Sequence, residues 1–305
     1  MLLTALSFPG MRDGNSSESF ALVHRTFGET TYVKAIPDAE LRPYLAYVWL
    51  IDHDDPAGQA RPDLHVADGL TEVVFVLRGS YSVRGVAANA SDSSVARSCL
   101  IGLQHGACLV RGHENFRMVG IKLTPRGFYR LLGRGAREVA HGRVAFGDWR
   151  AGRLRDLEEM LAAQRDISGI LSAVDRVLRP LLSGKAEERA LALTLSAAEH
   201  IEYRGGMLTV EQLAYEHNLG VRQLQRRFRE YLRITPKQLI GLTRFRHFYR
   251  AAILSTGAQP HFLDFGYYDQ AHFIKDYRGR TGISPTQGSD PCYRGRDRIA
   301  AVNLL

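Results

Sequence analysis

The spacing of apolar and polar residues changes near residue 146 and divides the chain into two parts. Before that point, short apolar runs alternate with glycine, serine and aspartate, as in an antiparallel β-sandwich or barrel. These runs cover residues 44–51, 70–77, 81–86, 98–103, 107–110 and 116–123. A short helix is expected over residues 125–132, because Pro125 suits the first helical turn.

Beyond residue 147 the apolar residues recur with the period of a helix. Leu154, Leu157 and Leu161 share one helix face behind Asp148, and a second helical run follows and ends near Pro180. We expect both helices to pack on the β domain and to contribute to a homodimer. The chain then has a helical pattern as far as residue 285.

An internal repeat with a spacing of 49 residues is the strongest signal in the sequence. Leu224 and Phe228 align with Phe273 and Tyr277, so each copy has two large apolar residues one helical turn apart. In both copies an Ile-Thr-Pro or Ile-Ser-Pro tripeptide follows at the same distance. The common register indicates two copies of one structural unit.

The first copy has the features of a helix-turn-helix. Thr209 and Gln212 form a capping box at the start of one helix, and residues 218–220 supply a turn. The next helix turns Leu224 and Phe228 inward. Its outward stripe consists of Arg222, Gln225, Arg226 and Arg229.

Charge indicates what this outward stripe contacts. The chain has 40 Lys and Arg residues against 32 Asp and Glu residues, which gives a net charge of +8. Residues 222–250 contain nine of the Lys and Arg residues and a single acidic residue, Glu230. A solvated helix face is the simplest alternative, but such a face usually mixes both signs. Because arginine pairs with guanine and glutamine with adenine in the major groove, we predict double-stranded DNA as the partner.

A long helix is predicted between the two copies. Thr235, Pro236 and Gln238 provide its N-terminal capping signals, and it extends to about Ser255. About 20 residues span roughly 30 Å. Successive major grooves on one face of DNA lie about 34–36 Å apart, so the spacer suits recognition helices in neighbouring grooves.

Four segments resemble the DNA-binding domain of AraC-type transcriptional regulators. They are Leu-Thr-Val-Glu-Gln-Leu-Ala at 208–214, Val-Arg-Gln-Leu-Gln-Arg-Arg-Phe at 221–228, Gly-Tyr-Tyr-Asp-Gln-Ala-His-Phe at 266–273 and Gly-Ile-Ser-Pro at 282–285. The resemblance extends over residues 186–288 and implies a sequence-specific regulator that controls promoter occupancy in the cytoplasm, on the nucleoid. It also implies a homodimer, a small-molecule effector and a contact with RNA polymerase, as in an activator, while repression remains open.

The resemblance also assigns residues to the bases. In such domains the outward positions of the two recognition helices touch base edges. The resemblance implies that the base-contacting residues are Arg222, Gln225 and Arg226 in the first unit. In the second unit they are Gln270, Ala271, Ile274 and Lys275. We expect Arg227 and Lys237 to meet phosphates, and Arg229 lies on the same outward stripe.

These observations define an α+β protein with an N-terminal β-sandwich or barrel, a helical linker and an all-α domain with two helix-turn-helix units. The predicted divisions are a mobile tail (1–19), a β-rich sensor or dimerisation domain (20–146), a helical linker (147–185), the DNA-binding domain (186–288) and a second tail (289–305).

The N-terminal part resembles, more loosely, the sensor domains of some AraC-type regulators. The matching pieces are Asp-Gly-Leu-Thr-Glu at 68–72 and Gly-Ile-Lys-Leu-Thr-Pro at 120–125. Trp49, Glu72 and Arg78 are weak candidates for an effector pocket, and ordinary strand positions are the alternative for each.

Enzymatic chemistry has little support in the sequence. His65, His105, His113 and Glu114 lack the spacing of metal ligands, and Cys99, Cys108 and Cys292 have no catalytic context. We therefore predict no enzyme, cofactor or metal. The alternatives are a cupin-like metal enzyme with a DNA-binding appendage, and an interaction module with a degenerate second helix-turn-helix.

The membrane is also excluded as a partner by the sequence. The longest clean apolar run covers residues 73–77, far below the roughly 18 residues that a membrane span needs. The apolar N-terminus has no basic region before it, so we expect no secretory signal.

The second unit is shorter than the first. Residues 260–266 leave its supporting helix about one turn short, which removes apolar surface from beneath Phe273 and Tyr277. We therefore expect residues 256–288 to be the more mobile half, and the first unit to supply most of the affinity for DNA.

Overall fold

The architecture predicted from the sequence is confirmed: an antiparallel sheet domain precedes a helical C-terminal region. The computed structural model describes residues 22–27, 29–54, 62–85, 93–95, 98–104, 106–133, 143–146, 152–182, 188–254 and 260–285. Both predicted tails, the segment at 183–187 and His105 lie outside these residues.

Nine described strands form one sheet in the order β1-β2-β3-β8-β5-β7-β9, with β4 paired to β8 and β6 paired to β5. Every pairing is antiparallel. The strands are β1 Leu22–Phe27, β2 Thr30–Ala35, β3 Leu45–His53, β4 Asp63–His65, β5 Thr71–Gly85, β6 Ser93–Val95, β7 Cys99–Ile101, β8 Cys108–Leu123 and β9 Arg143–Ala145.

Two strands are longer than the sequence predicts. The turn residues at 78–80 interrupt the apolar pattern, but β5 continues through them for 15 residues with register shifts on both sides of Arg78. Gly79 takes a φ of +69° at this irregularity, a conformation that glycine adopts at little cost. The separate runs at 107–110 and 116–123 are likewise one strand, β8. Bulges bend and twist a strand without ending it, which the apolar pattern does not reveal.

The sheet buries both of its faces. Val48, Leu50 and Phe75 belong to one buried cluster, whereas Tyr47 and Trp49, which alternate with them on β3, belong to another. Helices α2 (Gly152–Ala162) and α3 (Ile167–Leu182) cover the first face, as predicted. Their apolar stripes are thus used for packing within the chain.

Helix α1 (Pro125–Leu132) connects the sheet to the helical region. The Thr124 hydroxyl caps it by accepting from the Gly127 amide at 3.0 Å, and donates to the Pro43 carbonyl at 2.7 Å. Phe128 packs in the sheet core. On its other side, Tyr129 meets Tyr231 of the helical region in an edge-to-face contact, with ring centroids 6.0 Å apart.

The helical region contains two short helix-turn-helix units. Its elements are α4 Arg189–Tyr203, α5 Val210–Glu216, α6 Val221–Arg227, a π-helical turn Phe228–Leu232, α7 Pro236–Leu254, a 3-10 turn Phe262–Phe265 and α8 Gln270–Thr281. Within the described ranges, every helix is too short or too polar to span a bilayer.

The close approach of α1 to the backbone at residue 44 gives a stability prediction. A Cβ on Gly127 would lie 1.9 Å from the Tyr44 carbonyl oxygen, so Gly127→Ala forces the backbone apart. We expect a loss of about 1–3 kcal/mol in the free energy of unfolding, measured by denaturant titration followed by circular dichroism. The control is Gly279→Ala, a helical position with nothing within 4 Å of the added carbon, which should be neutral or stabilising. An equal effect of both changes would contradict the close-packing argument.

Candidate nucleic-acid interface

The first unit has the predicted helix-turn-helix geometry. The Thr209 hydroxyl accepts from the Gln212 amide at 3.1 Å, and the Gln212 side chain accepts from the Thr209 amide at 2.8 Å. This reciprocal cap begins α5, and Asn218, with a φ of 53°, helps to form the turn that follows. Leu224 and Phe228 of the second helix are fully buried. The inward half of the predicted pattern is therefore confirmed.

The predicted outward residues differ in exposure. Arg222, Arg226 and Arg229 are exposed, whereas Gln225 and Arg227 are half-buried. Arg227 Nη1 is buried and has no hydrogen-bond partner within the described part of the chain. Lys237 is exposed in the first turn of α7. The unit thus presents a stripe of guanidinium groups beside its turn, and Arg229 extends it into the π-helical turn.

Helix α7 joins the two units as predicted. Thr235 and Gln238 form a second reciprocal cap, with amide-to-side-chain distances of 3.0 and 3.2 Å. The helix has 19 residues, so its length is about 28 Å. It follows Arg233, whose left-handed backbone with a φ of 57° ends the recognition helix.

The second unit has a complete recognition helix, but the helix that supports it is shortened. Asp269 caps α8 by accepting from the His272 amide at 2.7 Å, and Phe273 and Tyr277 are buried, as predicted. The supporting helix is a single 3-10 turn with no fully buried residue, which confirms the shortening. Gln270, Ala271 and Lys275 are exposed, while Ile274 is half-buried and packs against the aromatic cluster of this unit.

Comparison with known proteins divides the chain in the same way. Residues 213–288 match a family described as a helix-turn-helix domain, and residues 33–145 match a domain of unknown function, DUF6597. No curated protein matches the chain.

The solved structures that match the chain share little sequence with it. A crystal structure of apo ToxT from Vibrio cholerae is 8% identical over 83% of this chain and 97% of that one, with a TM-score of 0.43. ToxT solved with an unsaturated fatty acid bound is 10% identical over 75% of this chain and 91% of that one, with a TM-score of 0.40. Oxalate decarboxylase from Bacillus subtilis is 14% identical over 33% of this chain and 27% of its own, with a TM-score of 0.26.

Two capped helix-turn-helix units joined by a long helix define a DNA-binding protein. The helix-turn-helix match over residues 213–288 agrees with this assignment. The C-terminal part of the chain is therefore a helix-turn-helix DNA-binding domain like that of the AraC-type regulators it resembles, and an antiparallel sheet domain precedes it.

The three effector candidates from the sequence do not form one site. Trp49 donates to Glu72 at 2.5 Å, and both side chains are buried. Glu72 also contacts the ammonium of Lys122 at 3.3 Å. Arg78 is exposed and instead pairs with Asp52 at 2.9 Å. Trp49 and Glu72 therefore belong to a buried network, and Arg78 lies apart from it.

This buried network reaches the helical region. Lys122 Nζ lies 2.9 Å from the Asp68 carboxylate, and burial alone would lower the pKa of Lys122. The charges of Asp68 and Glu72 outweigh that effect and raise it. Arg246 of α7 donates to the backbone carbonyl of Asp68 at 2.7 Å and pairs with Glu202 of α4. One short segment of the sheet domain is thus held by charges on both sides.

A cavity between the two domains was not predicted from the sequence. Its volume is about 890 Å³, within the range of about 300–1,000 Å³ typical of ligand pockets. Its lining includes five Lys and Arg residues and three Asp and Glu residues. Lys34 and Tyr47 come from the sheet, and Arg246, His247 and Arg250 come from α7. Tyr44, Leu70 and Leu195 are among its apolar walls.

Lys34 is the most distinctive group in this cavity. Its side chain is buried, and its ammonium lies 4.1 Å from the centre of the Tyr47 ring. Burial, followed by the charge of Arg250, lowers the pKa of Lys34 to about 8. Lys34 stands at an inward position of an apolar strand, and this exception to the alternating pattern is the signal that could have identified it.

Among the described residues, no group of three or more His, Cys, Asp or Glu side chains is placed so that it could hold a metal ion. His65 is half-buried, and its pKa is lowered by burial and then by the charge of Lys122. Burial raises the pKa values of Cys99 and Cys108, which disfavours their thiolates. The helix-turn-helix match favours a DNA-binding regulator over the metal-enzyme alternative.

Proposed function

We propose that α6 and α8 read bases in successive major grooves of double-stranded DNA. The observation that carries this proposal is the exposed guanidinium stripe on α6, formed by Arg222, Arg226 and Arg229. Arg222, Gln225 and Arg226 would contact base edges, because arginine and glutamine match guanine and adenine there. Arg227, Arg229 and Lys237 would meet phosphates.

The second unit would contribute less to sequence readout. Gln270 and Lys275 offer polar contacts from α8, whereas Ala271 offers only an apolar contact to a thymine methyl group. Ile274 packs partly in the interior of its unit, which limits its reach. Helix α7 spans about 28 Å from its 19 residues, which is compatible with recognition helices in neighbouring grooves.

The proposed effector is a small amphipathic molecule with an anionic group, bound in the cavity between the domains. Lys34 and Arg250 offer positive charge to such a group, and Tyr44, Leu70 and Leu195 offer apolar surface to the remainder. A ligand that touches the sheet and α7 together favours the docked arrangement of the domains, because it binds that arrangement better than a separated one. The N-terminal domain would thus act by binding and not by catalysis.

The remaining parts of the proposal follow from the family. Homodimerisation, activation through a contact with RNA polymerase, and action on the nucleoid in the cytoplasm are expectations for an AraC-type regulator. Packing of the α2 and α3 stripes within the chain means that a dimer needs a different surface. An interaction module with a degenerate second unit would instead protect only a half-length DNA site.

The first test compares two charged residues on DNA. Arg226→Ala should cost about 1–3 kcal/mol of binding free energy and relax the preference at one base pair. Lys237→Ala should weaken binding to all sequences alike and lower the salt slope by about one, because a phosphate contact releases a counterion. Both effects are measured by competition binding to a randomised site at several salt concentrations. Arg176→Ala, an exposed change on α3, is the control. Unchanged selectivity in Arg226→Ala would refute the assigned register.

The second test probes the cavity with decanoate and decanol. At pH 7 decanoate should raise the melting temperature more than decanol, because Lys34 is then mostly protonated. Lys34 has a pKa of about 8 in the folded protein, so decanoate binding should weaken as the pH rises through 8 and the positive charge is lost. Lys34→Met should remove most of the effect and its pH dependence. Lys275→Met, on the exposed face of α8, is the matched control. Equal shifts with decanol would exclude an anion site.

A further inference from the structure

We infer that the N-terminal domain completes the hydrophobic core of the second helix-turn-helix unit. The second unit would then hold its DNA-reading helix in place only while the two domains are docked. The two units can be compared position by position, because their recognition helices repeat at a spacing of 49 residues.

The supporting helices of the two units bury very different surfaces. In the first unit, Leu213 and Ala214 of α5 are 0% and 1% exposed. Counted back from the left-handed residues Asn218 and Gly266 that end the two supporting helices, the equivalent residues of the second unit are His261, which is exposed, and Phe262, which is half-buried. The 3-10 turn therefore provides much less cover for its recognition helix than α5 provides.

The recognition helix of the second unit is nevertheless well buried on its inner side. Phe273 and Tyr277 are each 7% exposed. They belong to a cluster with aromatic residues of α7 and with three buried residues of the N-terminal domain. Those three residues are Leu64, Val66 and Ala107. In the first unit the corresponding cover comes from α4 and α5, and Ala67 and Leu103 of the N-terminal domain lie in the same cluster.

A backbone hydrogen bond also joins the N-terminal domain to the end of α8. The Ala107 amide donates to the Arg280 carbonyl at 2.6 Å. The last carbonyls of a helix have no partner within the helix, so this bond satisfies one of them. Arg280 itself is held by Asp276 at 2.8 Å and lies over the Phe245 ring of α7. The C-terminal end of the recognition helix is therefore held by both domains.

The contacting residues of the sheet domain form one small structural element. Leu64 lies on β4, which pairs with the beginning of β8 next to Ala107. Two residues after Val66, Asp68 binds Lys122 within the sheet domain, and its backbone carbonyl accepts a hydrogen bond from Arg246 of α7. A displacement of this element would act on α8 directly. The state of the sensor domain is thereby coupled to α8, the recognition helix whose own supporting helix is reduced.

The test is hydrogen exchange in the full-length protein without DNA. Leu64→Ala opens a cavity beneath α8, so the α8 amides should exchange roughly tenfold faster or more, while the α6 amides keep their rate. Val66→Thr keeps the side-chain volume and should give a smaller change in the same direction, so it serves where Leu64→Ala does not fold. Leu161→Ala, buried in the sheet core away from α8, is the matched control and should not change the ratio of the two rates.

The second measurement is footprinting. It uses a DNA duplex on which the wild-type protein protects two grooves. Leu64→Ala should lose protection of the groove bound by α8 and keep protection of the other groove. Greater protection of the groove bound by α8 would mean that docking of the domains inhibits DNA binding by this helix, and would overturn the inference. Equal acceleration of α6 and α8 exchange, or unchanged α8 exchange, would also overturn it. Because exchange is measured without DNA, this outcome is separate from any failure of the proposed base contacts.

Discussion

A helix-turn-helix unit is too small to bury its recognition helix with its own two helices, and this constraint shapes the rest of the molecule. A third apolar surface must cover the inward residues of each recognition helix, because small units bury too little area to be stable by themselves. In the first unit that surface is α4, which places Leu195 and Ile201 in the same cluster as Leu224 and Phe228. In the second unit α7 and an element of the sheet domain provide it.

The same constraint explains the position of the sheet domain. Its segment at 66–69 contacts the helical region residue by residue: Val66 enters the cluster of the second unit and Ala67 that of the first. Gly69 has a φ of +77°, and a Cβ there would lie 3.4 Å from Leu242 of α7. The Asp-Gly sequence that resembles a sensor-domain motif is therefore a docking segment in this structure. Burial of Lys122 beneath it requires the carboxylates of Asp68 and Glu72 as partners, since an unpaired buried charge is costly.

Docking also creates the cavity in which we propose that the effector binds. Lys34 faces the space between the sheet and α7, close to Arg246 and Arg250. Like charges brought together from two domains repel one another, and an anion between them relieves that repulsion. An anionic ligand would thus strengthen the domain contact on which the second unit depends. In the proposed arrangement, effector binding and support of the second DNA-reading helix would share one interface.

Features that depend only on neighbouring residues were predictable from the amino-acid sequence. Helical periodicity, the capping boxes at Thr209 and Thr235, and the 49-residue repeat identified the two units and the helix between them. Even the missing turn before Gly266 was readable, because helix length is a local property. These features follow from spacing along the chain, so no knowledge of distant contacts was needed.

The way in which distant segments meet depends on long-range contacts, which local sequence patterns do not show. The bulge at Arg78 was read as a turn because a local apolar pattern does not show whether pairing with β8 continues beyond it. Trp49, Glu72 and Arg78 were grouped by residue type, yet Arg78 lies apart because strand pairing set its position. Lys34 and Arg250 are 216 positions apart in the sequence, and no local signal joins them. The support of α8 by Leu64, Val66 and Ala107 likewise arises from domain docking, which depends on the shapes of two finished surfaces.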